Sequence, residues 1–138
     1  MAMHPLSSLL RRALGVDAVA SLAAGLALAF AASPLAALLL VPRPLLFGAG
    51  LVCIGYAAVI AVLATRARLP GWAAWTVIVG NLAWAAGCVL LAFGPWLQPS
   101  AAGIAFLLVQ GLLVAGFAEL QYLGLRRSRP PLFATGTA

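Results

Sequence analysis

The stretch WAAWTVIVGNLAWAAGCVLLAF, residues 72–93, carries no charged side chain, and its most polar group is the single amide of Asn81. A hydrocarbon layer of about 30 Å takes roughly 20 apolar residues of helix to cross, and this run has that length. Three more of the same kind lie at about residues 13–33, 45–65 and 101–125. Over the 138-residue chain, 65% of the residues are hydrophobic and 7% are charged, too few to clothe a water-soluble core. The sequence therefore predicts an all-α fold: a polytopic membrane protein, one domain over 1–138, with four transmembrane helices in an up-down-up-down bundle. The loops left over are too short for a soluble catalytic domain. Function must act inside the bilayer, at its faces, or on a partner.

Prolines and glycines punctuate the spans. Ser33-Pro34 should end the first, because proline lacks an amide donor and clashes with the preceding turn. Val41-Pro42-Arg43-Pro44 reads as a rigid turn before the second. Arg66 to Gly71 and Gly94-Pro95-Trp96 form the next two connections, and Ser100 is placed to cap the fourth span. The Gly/Thr/Ala tail over 128–138 should be poorly ordered. The first span also looks like a secretory signal, with Ala29-Phe30-Ala31 as a small-x-small site, but is expected as an uncleaved helix.

Charge sets the expected orientation. All eight basic residues are arginine. Four spans place Arg11, Arg12, Arg66, Arg68, Arg126, Arg127 and Arg129 on one side and Arg43 alone on the other, so the positive-inside rule predicts two cytoplasmic termini in a bacterial inner membrane. The first six of those arginines are candidate lipid-headgroup contacts. The net charge of +6 serves topology on this account, and nucleic acid is not an expected partner. Trp72, Trp75 and Trp96 fall at the membrane edges.

The polar groups within the spans are few. A helix rises about 1.5 Å per residue, which puts Asn81 and Gln110 each about 13 Å deep from opposite faces, near the midplane. An Asn81–Gln110 hydrogen bond is the expected pairing, either as glue between helices or as part of a binding site. Trp84, one turn past Asn81, would pack an interface or stack on a ligand. Asp17 and Glu119, the only acids, should lie one to two turns inside the charged edge. Each is expected to meet an arginine or a backbone or serine donor, and on that footing Glu119→Ala should cost more stability than Gln121→Ala. The other reading gives the acids proton- or substrate-linked work. Ser21/Gly25, Gly80/Trp84/Gly87 and Gly111/Ala115 are candidate small-residue contacts. Cys53 and Cys88 read as apolar fillers at different depths. A two-plus-two hairpin repeat would align Asp17 through Phe30 with Asn81 through Phe93.

Chemical signatures are missing from the sequence. His4 is the only histidine, and there is no Cys-x-x-Cys, no phosphate loop and no serine or cysteine beside a base. No catalytic residue, metal or cofactor is expected. The arginine pair before the first span, Asn81-Leu-Ala-Trp84, and Leu120-Gln121-Tyr122-Leu-Gly-Leu-Arg-Arg127 resemble small four-span membrane proteins of bacteria. That resemblance covers the chain and implies no activity. Small multidrug resistance transporters share the size and span count. The chain departs from them in having Asp17 rather than glutamate, in lacking their Trp-Ser-Gly pattern, and in its charge asymmetry.

Three functions follow. The first is a non-enzymatic structural or accessory subunit of a membrane assembly, beside other membrane subunits or as a homo-oligomer. The alternative is a small oligomeric transporter or channel using Asp17 or Glu119 with Asn81 and Gln110. A lipid- or quinone-associated enzyme is third, for want of a nucleophile and base.

Overall fold

The computed structural model describes residues 3–128. Arg129 and the rest of the tail lie outside the described residues. The chain runs β1 (Met3–Pro5), α1 (Ser8–Phe30), α2 (Ala32–Leu39), α3 (Arg43–Thr65), β2 (Arg68–Pro70), α4 (Gly71–Phe93) and α5 (Ala101–Arg127). Four of these helices, α1, α3, α4 and α5, are long and apolar enough to cross a membrane. They alternate in direction. Ser7, at the start of α1, donates through its hydroxyl to the Gly124 carbonyl near the end of α5 at 2.7 Å. The strand before α1 pairs antiparallel with the strand before α4, His4 opposite Leu69.

Two local features depart from the expected spans. α1 begins five residues earlier than its apolar run, because the Ser7 hydroxyl accepts the Leu10 amide at 3.1 Å and satisfies an otherwise orphaned donor. Arg11 and Arg12 are therefore inside the helix. At the other end the helix breaks at Ala31 and restarts as α2, so Ser33-Pro34 sits within a new helix and not at a terminus. The ring of Pro34 would collide with the carbonyl of Phe30 in a continuous helix. As the third residue of α2, Pro34 has no intrahelical donor to lose. α2 closes with Leu40 in the left-handed region at φ 52°, a costly conformation for leucine. Ser100 holds that turn, its amide donating to the Leu39 carbonyl at 2.9 Å and its hydroxyl to that of Leu38 at 2.8 Å.

Packing pairs the long helices into two hairpins, α1 with α3 and α4 with α5, joined where α1 meets α5. This is the pairing a two-plus-two repeat requires, although α2 has no counterpart in the second half. Glycine sets the close approaches. A Cβ on Gly50 would lie 2.7 Å from the Ala29 amide nitrogen, and one on Gly124 would lie 2.7 Å from the Leu10 backbone. Gly25 and Gly111 likewise lie at helix crossings, against α3 and α4, whereas Gly80 and Gly87 have open space before them. α3 and α4 do not pack along their length. They converge only near the charged end, where Ile60, Ala74, Val77 and Ile78 join Leu10, Leu14, Ala18, Ala118 and Leu125 in one core. Further along, the α3–α4 seam opens into a cleft. The outer faces are apolar, with Val19, Val59, Val79 and Leu112 all more than half exposed, a surface that suits acyl chains.

Candidate polar site and cleft

The buried centre of the bundle is Asp17. Its position follows from helix geometry: nine residues past the start of α1 is about 13 Å of rise, deeper than a count from Arg12 implied. Its side chain is 0% exposed, and among the described residues no arginine reaches it. The Ser21 hydroxyl, one turn on, donates to Oδ1 at 3.0 Å. Oδ2 receives the Asn81 amide at 2.9 Å and the Gln121 amide at 2.7 Å. The Tyr56 hydroxyl lies 2.9 Å from the same oxygen. All four long helices thus contribute one group to a single carboxyl. The expected arginine partner is replaced by neutral donors because Asp17 lies beyond the reach of the arginines ringing the helix ends, while the serine donor is present.

The second acid fares differently. Glu119 is exposed on the outer face of α5, and no ion pair to either acid forms among the described residues. Two residues along a helix is about 200° of rotation, so Gln121 faces inward where Glu119 faces out. Gln121 is 1% exposed. Its Oε1 accepts from Asn81 at 3.1 Å. Asp17 and Glu119 therefore do not form a matched pair.

Asn81 does not bond to Gln110. It is 4% exposed and is saturated by Asp17, Gln121 and Tyr56, the last 2.9 Å from its Oδ1. Gln110 lies three turns from Gln121 on the same face of α5, toward the opposite end, and its nearest polar partner is the Cys88 thiol at 4.0 Å. Gln110 and Trp84 instead line the cleft. A cavity of about 280 Å³ sits over the polar layer, bordered by Ser21, Tyr56, Asn81, Trp84, Gln110 and Phe117. A second, of about 610 Å³, runs along the α3–α4 seam and shares Val52, Gly80, Trp84 and Gln110 with the first. Together they form one apolar passage from the flank of the bundle to its polar centre. Among the described residues neither the Gln110 amide nitrogen nor the Trp84 indole nitrogen donates to the protein.

The remaining candidates sit at the ends. Arg11 donates to the Arg66 carbonyl at 3.4 Å, and Arg43 donates to Ser33 at 3.0 Å. Arg126 lies over the Tyr122 ring at 5.9 Å, which in turn meets Trp75 at 5.9 Å, an amphipathic rim suited to a membrane edge. Cys53 and Cys88 are buried and unpaired. Two participants were not foreseen from the sequence as polar partners, Tyr56 and Gln121; the serine donor expected for Asp17 is Ser21, which the sequence marks only as a small-residue contact. The eleven-residue spacing of Gln110 and Gln121 was the legible signal for an inward polar face. No group of three metal-ligating side chains occurs among the described residues. Searches of family models, curated proteins and solved structures found no match to the chain.

Proposed function

We propose that this protein binds a small lipophilic molecule inside the membrane, as the binding step of a carrier or transporter. One observation carries the reading: the apolar passage between α3 and α4 ends on the Asp17 layer. Pockets of this kind, mostly apolar with a few convergent polar groups, are the ordinary form of small-ligand sites. An amide or indole N–H facing an apolar space without a partner is costly. Gln110 and Trp84 therefore favour a ligand with an apolar body and an acceptor oxygen on its head. Entry would be sideways from the lipid, so no water-filled channel is required. Glu119 takes no part in this reading.

Gly80→Leu provides the test, since a Cβ there meets no atom of a neighbouring helix within 4 Å and the longer side chain would project into the passage that Gly80 lines. Native mass spectrometry of the gently extracted protein should show a bound small molecule that Gly80→Leu loses while the bundle stays folded. An identical adduct-free spectrum for both proteins would defeat the proposal. The open seam also favours a second reading, in which a helix of a larger membrane subunit fills it and the chain acts as an accessory subunit. Stoichiometric recovery of such a subunit, lost in Gly80→Leu, would support that reading instead.

A further inference from the structure

The Tyr56 oxygen lies 2.9 Å from Asp17 Oδ2 and 2.9 Å from Asn81 Oδ1. A phenol carries one hydrogen, so it can satisfy only one of two acceptors. Rotating the Asn81 amide does not help. Its nitrogen already serves Asp17 Oδ2 and Gln121 Oε1, and a flip would set its oxygen against the carboxyl. Both short contacts are hydrogen bonds at once only when a further proton sits on Asp17. Asp17 Oδ2–H then donates to the Tyr56 oxygen, and the Tyr56 hydrogen turns to Asn81 Oδ1.

We infer that Asp17 is a reversible proton-binding site and that the Tyr56 hydroxyl switches acceptor with its state, from Asn81 when the proton is bound to Asp17 when it has left. Asp17 is enclosed while Tyr56 borders the cavity, so the hydroxyl relays the proton: the Tyr56 O–H bond breaks as its hydrogen passes to water admitted there, the Asp17 Oδ2–H bond breaks as that hydrogen bonds to the Tyr56 oxygen, and the restored hydroxyl points at the carboxylate. The surroundings make the site a single one. On α3 the titratable groups facing the layer are Tyr56 and Cys53. α4 and α5 present the neutral amides of Asn81 and Gln121, and α1 adds the hydroxyl of Ser21. Among the described residues no cation is hydrogen-bonded to the carboxyl, so proton uptake changes the net charge of the layer outright. Because Ser21, Tyr56 and Asn81 also border the cavity, that change is felt where a ligand would lie. Tyr56 is a positioning residue here, acting through Asp17.

The chain contains one aspartate, which allows a test without mutation. The full chain is made with carbon-13 at the aspartate side-chain carboxyl and reconstituted in phosphatidylcholine bilayers, and solid-state NMR follows the single signal with pH. The expected result is conversion between protonated and ionised carboxyl positions while the helical signals hold. Tyr56→Phe should shift the midpoint by a measurable fraction of a pH unit or more, and Tyr122→Phe should leave it in place. A carboxyl signal fixed in either form throughout would overturn the proton site. A titration that Tyr56→Phe leaves unmoved would overturn the switch. No ligand is needed, so failure here leaves the binding proposal standing, and loss of that proposal leaves the titration intact.

Discussion

Two seams of this bundle are lined by the same residue and behave in opposite ways. Between α1 and α3, Gly25 and Gly50 bring backbone against backbone, each reserved Cβ position lying within 3.0 Å of the facing helix. Between α3 and α4, Gly48, Gly80 and Gly87 face nothing within 4 Å. Lipid tails are as apolar as leucine, so burial alone does not draw helices together in a membrane. Close packing does, and it requires glycine where two helices cross. The first seam therefore holds the hairpin, while the second spends its small residues on free space. A glycine in a membrane helix marks a surface kept low, and only the partner decides whether that surface is a joint or a passage.

The largest effect should come from closing the tight seam. Gly50→Ala puts a methyl 2.7 Å from the Ala29 nitrogen and 2.8 Å from the Gly25 carbonyl oxygen. These are backbone atoms that cannot swing aside. Overpacking of this kind costs roughly 1–3 kcal/mol or more, so the thermal unfolding midpoint in detergent should fall clearly. An unchanged midpoint would mean that the α1–α3 crossing is looser than its glycines indicate.

Next in size is the polar layer that ties the hairpins together. Gln121→Ala removes one donor from Asp17 and the acceptor of Asn81. It also leaves a void beside a buried carboxyl. Losing buried partners of this type costs about 1–2 kcal/mol, the unfolded chain in lipid finding some substitutes. Gln121→Glu would keep the volume and add a second acid facing Asp17, and should be the worse of the two in the same melt. Equal melting of both variants and the parent would show that the layer contributes little to stability.

How much of this was open to a reader of the sequence depends on what each signal averages over. The four spans rest on some twenty residues apiece, and no single side chain could mislead them. The break at Ala31 was visible in Pro34, but its outcome was not, because proline dictates where a helix must stop and not whether another begins two residues earlier. Asp17 and Asn81 were found as isolated polar groups at depth, and the structure joins them. Tyr56 was passed over because tyrosine in a span reads as an aromatic filler, and only the fold puts its hydroxyl between two other oxygens. Asn81 was paired with Gln110 on depth alone. Depth does not fix helix rotation, and rotation gave the place to Gln121.

The open seam predicts a smaller effect of opposite sign. Gly80→Ala adds a methyl to vacant space and relieves a helix of its most flexible residue, which is worth about 0.5–1 kcal/mol. The midpoint should therefore rise where that of Gly50→Ala falls. If Gly80→Ala instead destabilises as Gly50→Ala does, some surface occupies the α3–α4 seam in solution, and a copurifying subunit becomes the first place to look.

The smallest effect separates two polar residues of one helix. On sequence alone Glu119 ranks above Gln121, because an acid at membrane depth is expected to be paired. The structure reverses the order, since Glu119 faces outward while Gln121 is enclosed. An exposed carboxylate seven residues before Arg126 could still be drawn to the charged rim, yet no arginine engages it among the described residues. Its removal strands no protein group among the described residues, and substitutions away from packed or bonded features ordinarily stay within about 0.5 kcal/mol. Glu119→Ala should therefore melt within that margin of the parent, while Gln121→Ala melts well below it. A Glu119→Ala loss as large as that of Gln121→Ala would mean that the acid is covered, either by lipid headgroups or by a second subunit against the outer face of α5. Repeating the melt with and without anionic lipid would tell the two apart, because only headgroup contacts respond to lipid charge.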